Sequence, residues 1–282
     1  MGRRLNCKSP LKALLMVTVL QSSLIQVMVG AVRKACKGVA RDFGEITELQ
    51  VSKKGPGDFV TAADKRVEAA LKEELLRVRP GYGFLGEESG EVIGTDKTHR
   101  WIVDPIDGTT NFMHGIPHFA CTIALERENE IVAGVTFNPV TNDLYWAEKG
   151  KGAYHNDRRL RVSGRKTLDD ALIGTGLPFI GKAGHAQALK ELHQIMQRTV
   201  GIRRNGAASL DLAWVAAGQL DAFWERGLKP WDMAAGLLFI HEAGGKFGSI
   251  DNDERSPLLT GDLICGNLEL YPLLLEKLHL AK

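Results

Sequence analysis

Residues Trp101 to Phe112 read WIVDPIDGTTNF, and the rest of the chain has to accommodate them. The apolar run Trp101, Ile102 and Val103 predicts a strand that delivers a carboxylate at Asp104. Pro105 has no N–H and a fixed φ, so the strand is expected to end there. A second carboxylate, Asp107, follows three residues after the first, and Gly108 permits a turn that a side chain would obstruct. Thr109, Thr110 and Asn111 are residues that cap helices. Two acids at a strand end beside helix-start amides suit a hard cation and an oxyanion together. That is the composition of a site for a metal-bound phosphate.

Taken alone, Asp-Pro and Asp-Gly pairs make an ordinary surface turn. Two further acidic clusters change the weighing. Glu87 and Glu88 stand in GFLGEES after an apolar run, and Asp232 stands in KPWDMAAG at the start of an apolar helical stretch. Each has its own plain reading, an exposed loop for the first and a helix cap for the second. Three such clusters, each where an apolar segment begins or ends, are better accounted for by one site.

GEES, DPIDGTTNF and PWDMAAG, in this order and at these separations, resemble the inositol monophosphatase family of metal-dependent, lithium-sensitive phosphatases. The similarity runs from about Leu24 to the C-terminus, and LKPWD with RRNGAASLDLAW is similar to its bacterial branch. The resemblance implies a layered α-β-α-β-α sandwich with the site between its halves. We divide the chain into an extension (1–20), an N-terminal α+β half carrying the metal site (21–160) and a C-terminal α/β half carrying substrate recognition (161–282).

Length and charge bound the alternatives. The 282 residues carry a net charge of +2 with both signs interspersed, which argues against a nucleic-acid or polybasic membrane protein. Cys7, Cys36, Cys121 and Cys265 form no CxxC or Cys/His pattern and read as reduced thiols of a cytoplasmic protein. Arg3, Arg4, Lys8 and Lys12 precede the apolar Leu14 to Leu20 in the order of a signal peptide. Helical spacing continues, however, through Leu24, Ile25, Met28, Val32, Val39 and Phe43, and cleavage near Gly30-Ala31 would cut that helix. We therefore read residues 1–20 as an extension.

Val51 to Asp64 contains Gly55-Pro56-Gly57 and reads as a loop carrying Lys53 and Lys54. Thr61 with Asp64 forms a capping box for a helix with Val67, Leu71, Leu75 and Val78 inward. Asp64 is either that cap or an outer-layer partner of the metal site, the role the resemblance favours. Strands are expected at Tyr82 to Leu85, Phe119 to Leu125, Ile131 to Phe137, Asp143 to Ala147 and Gly152 to His155. Beyond Val162 strands alternate with helices. Strands are expected at Ala171 to Thr175, Leu220 to Trp224 and Leu263 to Cys265. The helices are His185 to Thr199 (Leu189, Leu192 and Met196 inward), Ala207 to Ala217, Trp231 to Ala243 and Leu268 to Leu280. His114 and His118 lack ligand spacing and are set aside as ligands.

Carboxylates about 4 Å apart repel by roughly 4 kcal/mol at an effective dielectric near 20, so such a cluster must hold protons or cations. Four acids with an amide cradle point to Mg²⁺, two or three per site. By resemblance, Glu87, Asp104 and the Ile106 carbonyl hold the first metal, and Asp104, Asp107 and Asp232 the second. Thr109 with Glu87 would orient a metal-bound water for in-line attack, making Glu87, Asp104 and Thr109 catalytic. Gly108 and Thr109 amides would hold phosphate. Glu225, at a strand end, is suited to accept bonds from ring hydroxyls, while Gly206, Ala207 and Ala208 offer small side chains and amides. Arg203 resembles a substrate-side arginine of the bacterial branch, and Asp107 and Asp232 complete the substrate-side set. The expected reaction is hydrolysis of myo-inositol monophosphate by a homodimer without direct nucleic-acid or membrane partners. The alternatives are another sugar or polyol phosphate, such as fructose 1,6-bisphosphate or histidinol phosphate, or a regulatory binding protein of the transcription machinery. Adenosine 3′,5′-bisphosphate fits poorly with Thr110-Asn111-Phe112.

Overall fold

The computed structural model describes residues 21–44, 51–55, 58–251 and 254–281. The expected extension at 1–20 and the loop residues Pro56 and Gly57 lie outside these. The helices are α1 (Ser23–Ala35), α2 (Val39–Gly44), α3 (Ala62–Val78), α4 (Thr109–Met113), α5 (His185–Met196), α6 (Ala208–Ala216), α7 (Pro230–Glu242), α8 (Pro257–Thr260) and α9 (Leu270–Leu280). A hairpin, β1 (Val51–Gly55) with β2 (Asp58–Thr61), stands where a loop was expected.

An eight-stranded sheet contains β3 (Gly83–Gly86), β4 (Gly90–Val92), β5 (His99–Asp107), β6 (Ala120–Arg127), β7 (Glu130–Asn138), β8 (Asp143–Glu148), β9 (Gly152–His155) and β10 (Arg158–Arg159). Its order is β10-β9-β8-β7-β6-β5-β3-β4, antiparallel except at β3 with β5. The second sheet contains β11 (Leu172–Thr175), β12 (Gly201–Arg203), β13 (Ala222–Glu225), β14 (Lys246–Gly248) and β15 (Leu263–Gly266), in the order β12-β11-β13-β15-β14. Here β11 runs parallel to β12 and β13, while β15 is antiparallel to β13 and β14.

Alternation along the strands builds the layers. Trp101 and Val103 face a core shared with Ile25, Met28 and Val32 of α1 and Val67 and Leu71 of α3. Ile102, between them, faces the opposite core with Leu212 of α6 and Phe239 of α7. Phe223 of β13 reaches that same middle core, whereas Ala222 and Trp224 face a third, with Ile195 of α5 and Leu274 and Leu278 of α9. The result is α1/α3, sheet, α6/α7, sheet, α5/α9, which is the expected α-β-α-β-α sandwich. Close approach fixes the middle layer: a Cβ on Gly134 of β7 would stand 2.9 Å from the Ala235 Cα of α7.

Three expectations change. Pro105 does not end its strand. β5 continues to Asp107, and the register slips between Asp104, opposite Thr122, and Asp107, opposite Ala120. The extra residue is a bulge, a position that tolerates a proline. On α5 the inward face belongs to Glu191 and Ile195, with Leu192 half-buried. Leu189 and Met196 are 67% and 63% exposed, because this helix is an outer layer that turns a narrow face inward. Val78, near the end of α3, is only half-buried. β4, β12 and β14, of three residues each, are too short to show a period in the sequence.

Candidate active site

The bulge decides where the acids point. In a regular strand, residues three apart face opposite sides. One extra residue between Asp104 and Asp107 shifts the phase, so both carboxylates reach the same place, where Asp232 joins them from the first turn of α7. One oxygen from each of Asp104, Asp107 and Asp232 lies within 4.8 Å of the others.

Each of the three is also anchored through one oxygen. The Ile106 amide donates to Asp104 Oδ1 at 3.0 Å, and the Lys229 amide to Asp232 Oδ2 at 2.7 Å. Asp107 Oδ2 accepts from the Ser209 amide at 2.7 Å and from its hydroxyl at 2.6 Å. Each can turn its other oxygen to a shared cation. The electrostatics agree. Burial, then Glu87, Asp107 and Asp232, push the Asp104 carboxyl well above the ordinary range. Burial pushes Asp107 up to about 6 against the opposing Ser209 bonds, and Asp232 is raised by burial and by Asp107. Oxygen-only donors, crowded and short of positive charge, fit a hard divalent ion.

Glu87 follows β3, its amide donating to the Val103 carbonyl at 3.2 Å. The turn that carries it is held by Glu68, a buried acid of α3, whose oxygens accept the Glu88 and Ser89 amides at 2.8 Å each. Gly86 makes room: a Cβ there would lie 2.5 Å from Glu68 Oε2. Asp64 caps α3 and also reaches Thr109. Its Oδ2 accepts the Thr61 amide at 2.8 Å, completing the capping box, and its Oδ1 lies 3.3 Å from Thr109 Oγ1. Thr109 Oγ1 also lies 3.0 Å from the Ile106 carbonyl. Helix α4 begins at Thr109 with left-handed Gly108 (φ 89°) as its cap residue, not a Thr or Asn side chain.

A cleft of about 580 Å³ opens beside the acids, lined by Glu87, Phe179, Lys182, Glu225, Lys229 and Asp232 among others. A smaller recess of about 150 Å³ adjoins it, bounded by Asp107, Gly206, Ala207, Ala208 and Glu225. Burial and then Asp232, Asp211 and Asp107 raise the Glu225 carboxyl well above its usual range, with Arg204 opposing. Glu225 lies flat on the chain at Gly176, where a Cβ would be 1.9 Å from its carboxyl carbon. Of the adjacent pair Arg203 and Arg204, Arg204 lines the recess. Arg203 is exposed at the end of β12, and its guanidinium bonds to the Ile202 carbonyl at 3.1 Å. Side chains at 44–60, including Lys53, lie outside the described residues. His118 turns its Nε2 to Asp211 Oδ1 at 3.1 Å and packs edge-on against Trp214.

The sequence reading missed Glu68, Gly176, Phe179, Lys182, Arg204, Ser209 and Asp211. Among them only Asp211 carried a signal, an acid inside an otherwise apolar helix.

Fold and acids together define a layered sandwich of helices and two mixed sheets, with three acids that could hold a cation beside a polar cleft sized for a small ligand. Comparison with known proteins narrows the class. The inositol monophosphatase family matches residues 20–282, and the chain belongs to that family. It is 62% identical over 256 residues to an inositol-1-monophosphatase of Caulobacter vibrioides, covering 90% of this chain and 100% of the relative. It is 40% identical to a protein named Nus factor SuhB in Pseudomonas aeruginosa, covering 91% of this chain and 96% of that one. The crystal structure of extragenic suppressor protein suhB from Bartonella henselae superposes with a TM-score of 0.88 at 49% identity, covering 91% and 98% of the two chains.

Proposed function

We propose that this chain is a Mg²⁺-dependent phosphomonoesterase that hydrolyses myo-inositol monophosphate to inositol and phosphate. The observation that carries the reading is the convergence of Asp104, Asp107 and Asp232, each anchored through one oxygen, beside a polyol-sized cleft. Family membership supports it.

The residues that would hold two or three Mg²⁺ are Glu87, Asp104, Asp107, Asp232 and the Ile106 carbonyl. Bound there, the ions supply positive charge to the phosphate and acidify water. The chain's own groups do the rest. Thr109 Oγ1 has one proton and two neighbouring acceptors. Donating it to Asp64 leaves the Ile106 carbonyl for the cation and turns a hydroxyl lone pair toward the attacking water. Thr109 and Glu87 would then fix that water; the proton it loses passes through the Thr109 hydroxyl toward Asp64, and the ester P–O bond breaks as the inositol oxygen leaves and takes a proton from solvent. The Gly108 and Thr109 amides lie at the start of α4, where helix N–H groups have no intrahelical partner, and receive phosphate oxygens. Glu225 accepts from ring hydroxyls, with the small Gly206, Ala207 and Ala208 allowing the ring close to the backbone. Arg204 takes the place on this wall expected of Arg203.

In this reading residues 21–160 carry the chemistry with Asp232 joining them from α7, and the rest of 161–282 carries the recognition, in a cytoplasmic homodimer. No helix among the described residues is long and apolar enough to cross a membrane. Phosphate release from inositol 1-phosphate, fructose 1,6-bisphosphate and histidinol phosphate, with Mg²⁺ and with added Li⁺, tests it. Fastest turnover of inositol phosphate, absent with chelator and lowered by Li⁺, is expected. Preference for either other ester by tenfold would replace the substrate. The similarity to a Nus factor supports a second role, binding within a transcription complex. Retained binding to the transcription machinery by an Asp104→Asn protein would separate that role from catalysis.

A further inference from the structure

Asp107 is held differently from its two partners. Asp104 and Asp232 are anchored by amides of their own segments, two and three residues away. Asp107 is anchored from 102 residues away, by the hydroxyl and amide of Ser209 on a single oxygen. Ser209 is 1% exposed and sits in the first turn of α6. The residue preceding that helix, Ala207, has no side-chain donor or acceptor to cap it. Asp107 therefore caps α6 from the other half of the molecule, satisfying an amide that would otherwise lack an intrahelical partner.

We infer that Ser209 is a positioning residue for the cation site: its hydroxyl clamps one oxygen of Asp107 so that the other is presented to Mg²⁺. Two donors on one oxygen restrict the rotation of a carboxylate more than one donor does. The same clamp joins the acids to the Ala207-Ala208 edge of the recess, so the ion and the polyol wall are set by one joint. The inference rests on the reading that Asp104, Asp107 and Asp232 bind Mg²⁺, and extends it to a residue outside the ligand set.

The test is calorimetric titration of Mg²⁺ into the metal-stripped protein without substrate, for wild type, Ser209→Ala and Ser209→Thr, with thermal unfolding alongside. Loss of an outer partner typically weakens metal binding by about ten- to a hundredfold, and that is expected for Ser209→Ala. The Ser209→Thr protein keeps the hydroxyl and should bind within about threefold of wild type by the same scale. If Ser209→Ala binds Mg²⁺ within about twofold of wild type, the inference is wrong although the metal reading stands. If Thr loses as much as Ala, Ser209 acts through packing and not through its hydroxyl. If the wild type itself takes up no Mg²⁺, the metal reading fails and the inference with it.

Discussion

On one side of the cleft, Asp104 and Asp107 leave a strand whose neighbours Val103, Ile106 and Cys121 are buried, and each acid is tied to a backbone amide. On the other side, Phe179 and Lys182 come from a segment between β11 and α5 whose Ile180 is 70% exposed. Lys182 stands 5.2 Å over the Phe179 ring, an interaction that side chains can rearrange without disturbing a core. The acids have to hold their geometry against their own repulsion, so they are built into the sandwich. In the function proposed above, the facing wall has only to fit a neutral ring, and there the chain is less constrained. Glu225 is the exception on that wall: a β13 residue, laid against Gly176 and raised by burial and then by Asp232, Asp211 and Asp107, it belongs physically to the rigid side.

The largest expected effect breaks the rigid side. Asp104→Asn keeps the shape and removes the charge at the centre of the acid cluster. Phosphatase activity should fall at least about a thousandfold, roughly 4 kcal/mol of barrier, with the folded structure intact by circular dichroism. Activity within tenfold of wild type would refute the shared-cation assignment.

Glu225→Gln sharpens the boundary between the two sides. If Glu225 accepts from ring hydroxyls, a charge-assisted contact of about 1.5 to 3 kcal/mol is lost. The kcat/KM for inositol phosphate should drop about ten- to a hundredfold. p-Nitrophenyl phosphate, which offers no ring hydroxyls, should lose much less. Equal losses would assign Glu225 to the metal site, and no loss would return it to a structural role.

Legibility in the sequence follows the same division. The acids were readable because each stands where an apolar run meets a turn, and three carboxylates so placed are hard to account for except as parts of one site. The layers were readable from the periods of Val67, Leu71 and Leu75 and of the strands around Trp101. The bulge was not, because a proline after an apolar run ordinarily ends a strand, yet the bulge is what brings Asp104 and Asp107 to one face. Arg204, the one of the two adjacent arginines that lines the recess, follows a three-residue edge strand that ends at Arg203, and three residues carry no period to tell which side chain faces the cleft. Ser209, Glu68 and Gly176 act on partners 102, 20 and 49 residues away, and local pattern holds no record of such contacts.

A smaller effect is expected from Gly176→Ala, which acts on Glu225 from behind. The new Cβ would need the space of the Glu225 carboxyl, 1.9 Å away, and would push it off its seat. We expect KM for inositol phosphate to rise about tenfold, near the lower bound for a lost hydrogen bond to a charged group. The kcat on p-nitrophenyl phosphate should stay within about twofold on the same scale. A fall in kcat on both esters would mean that the Gly176 segment supports the metal site.

The smallest effect concerns stability, and its sign follows from the raised acids. A carboxyl whose pKa is higher folded than unfolded binds more protons in the folded state, so stability falls as pH rises through the interval between the two values. For Asp107 that interval runs from the ordinary carboxylate range, near 3.8, up to about 6, and burial raises Asp104, Asp232 and Glu225 in the same direction. The metal-stripped protein should therefore melt at a lower temperature at pH 6.5 than at pH 4.5. Saturating Mg²⁺ should reverse the order, because a cation favours the ionised acids and binds more tightly as they lose protons. The Asp104→Asn protein, with one repelling charge gone, should show a shallower dependence without Mg²⁺ and a weaker reversal with it. A melting temperature that rises with pH in the stripped wild type would mean that the acids are already compensated by the protein's own groups, and the contrast between the two sides of the cleft would lose its electrostatic basis.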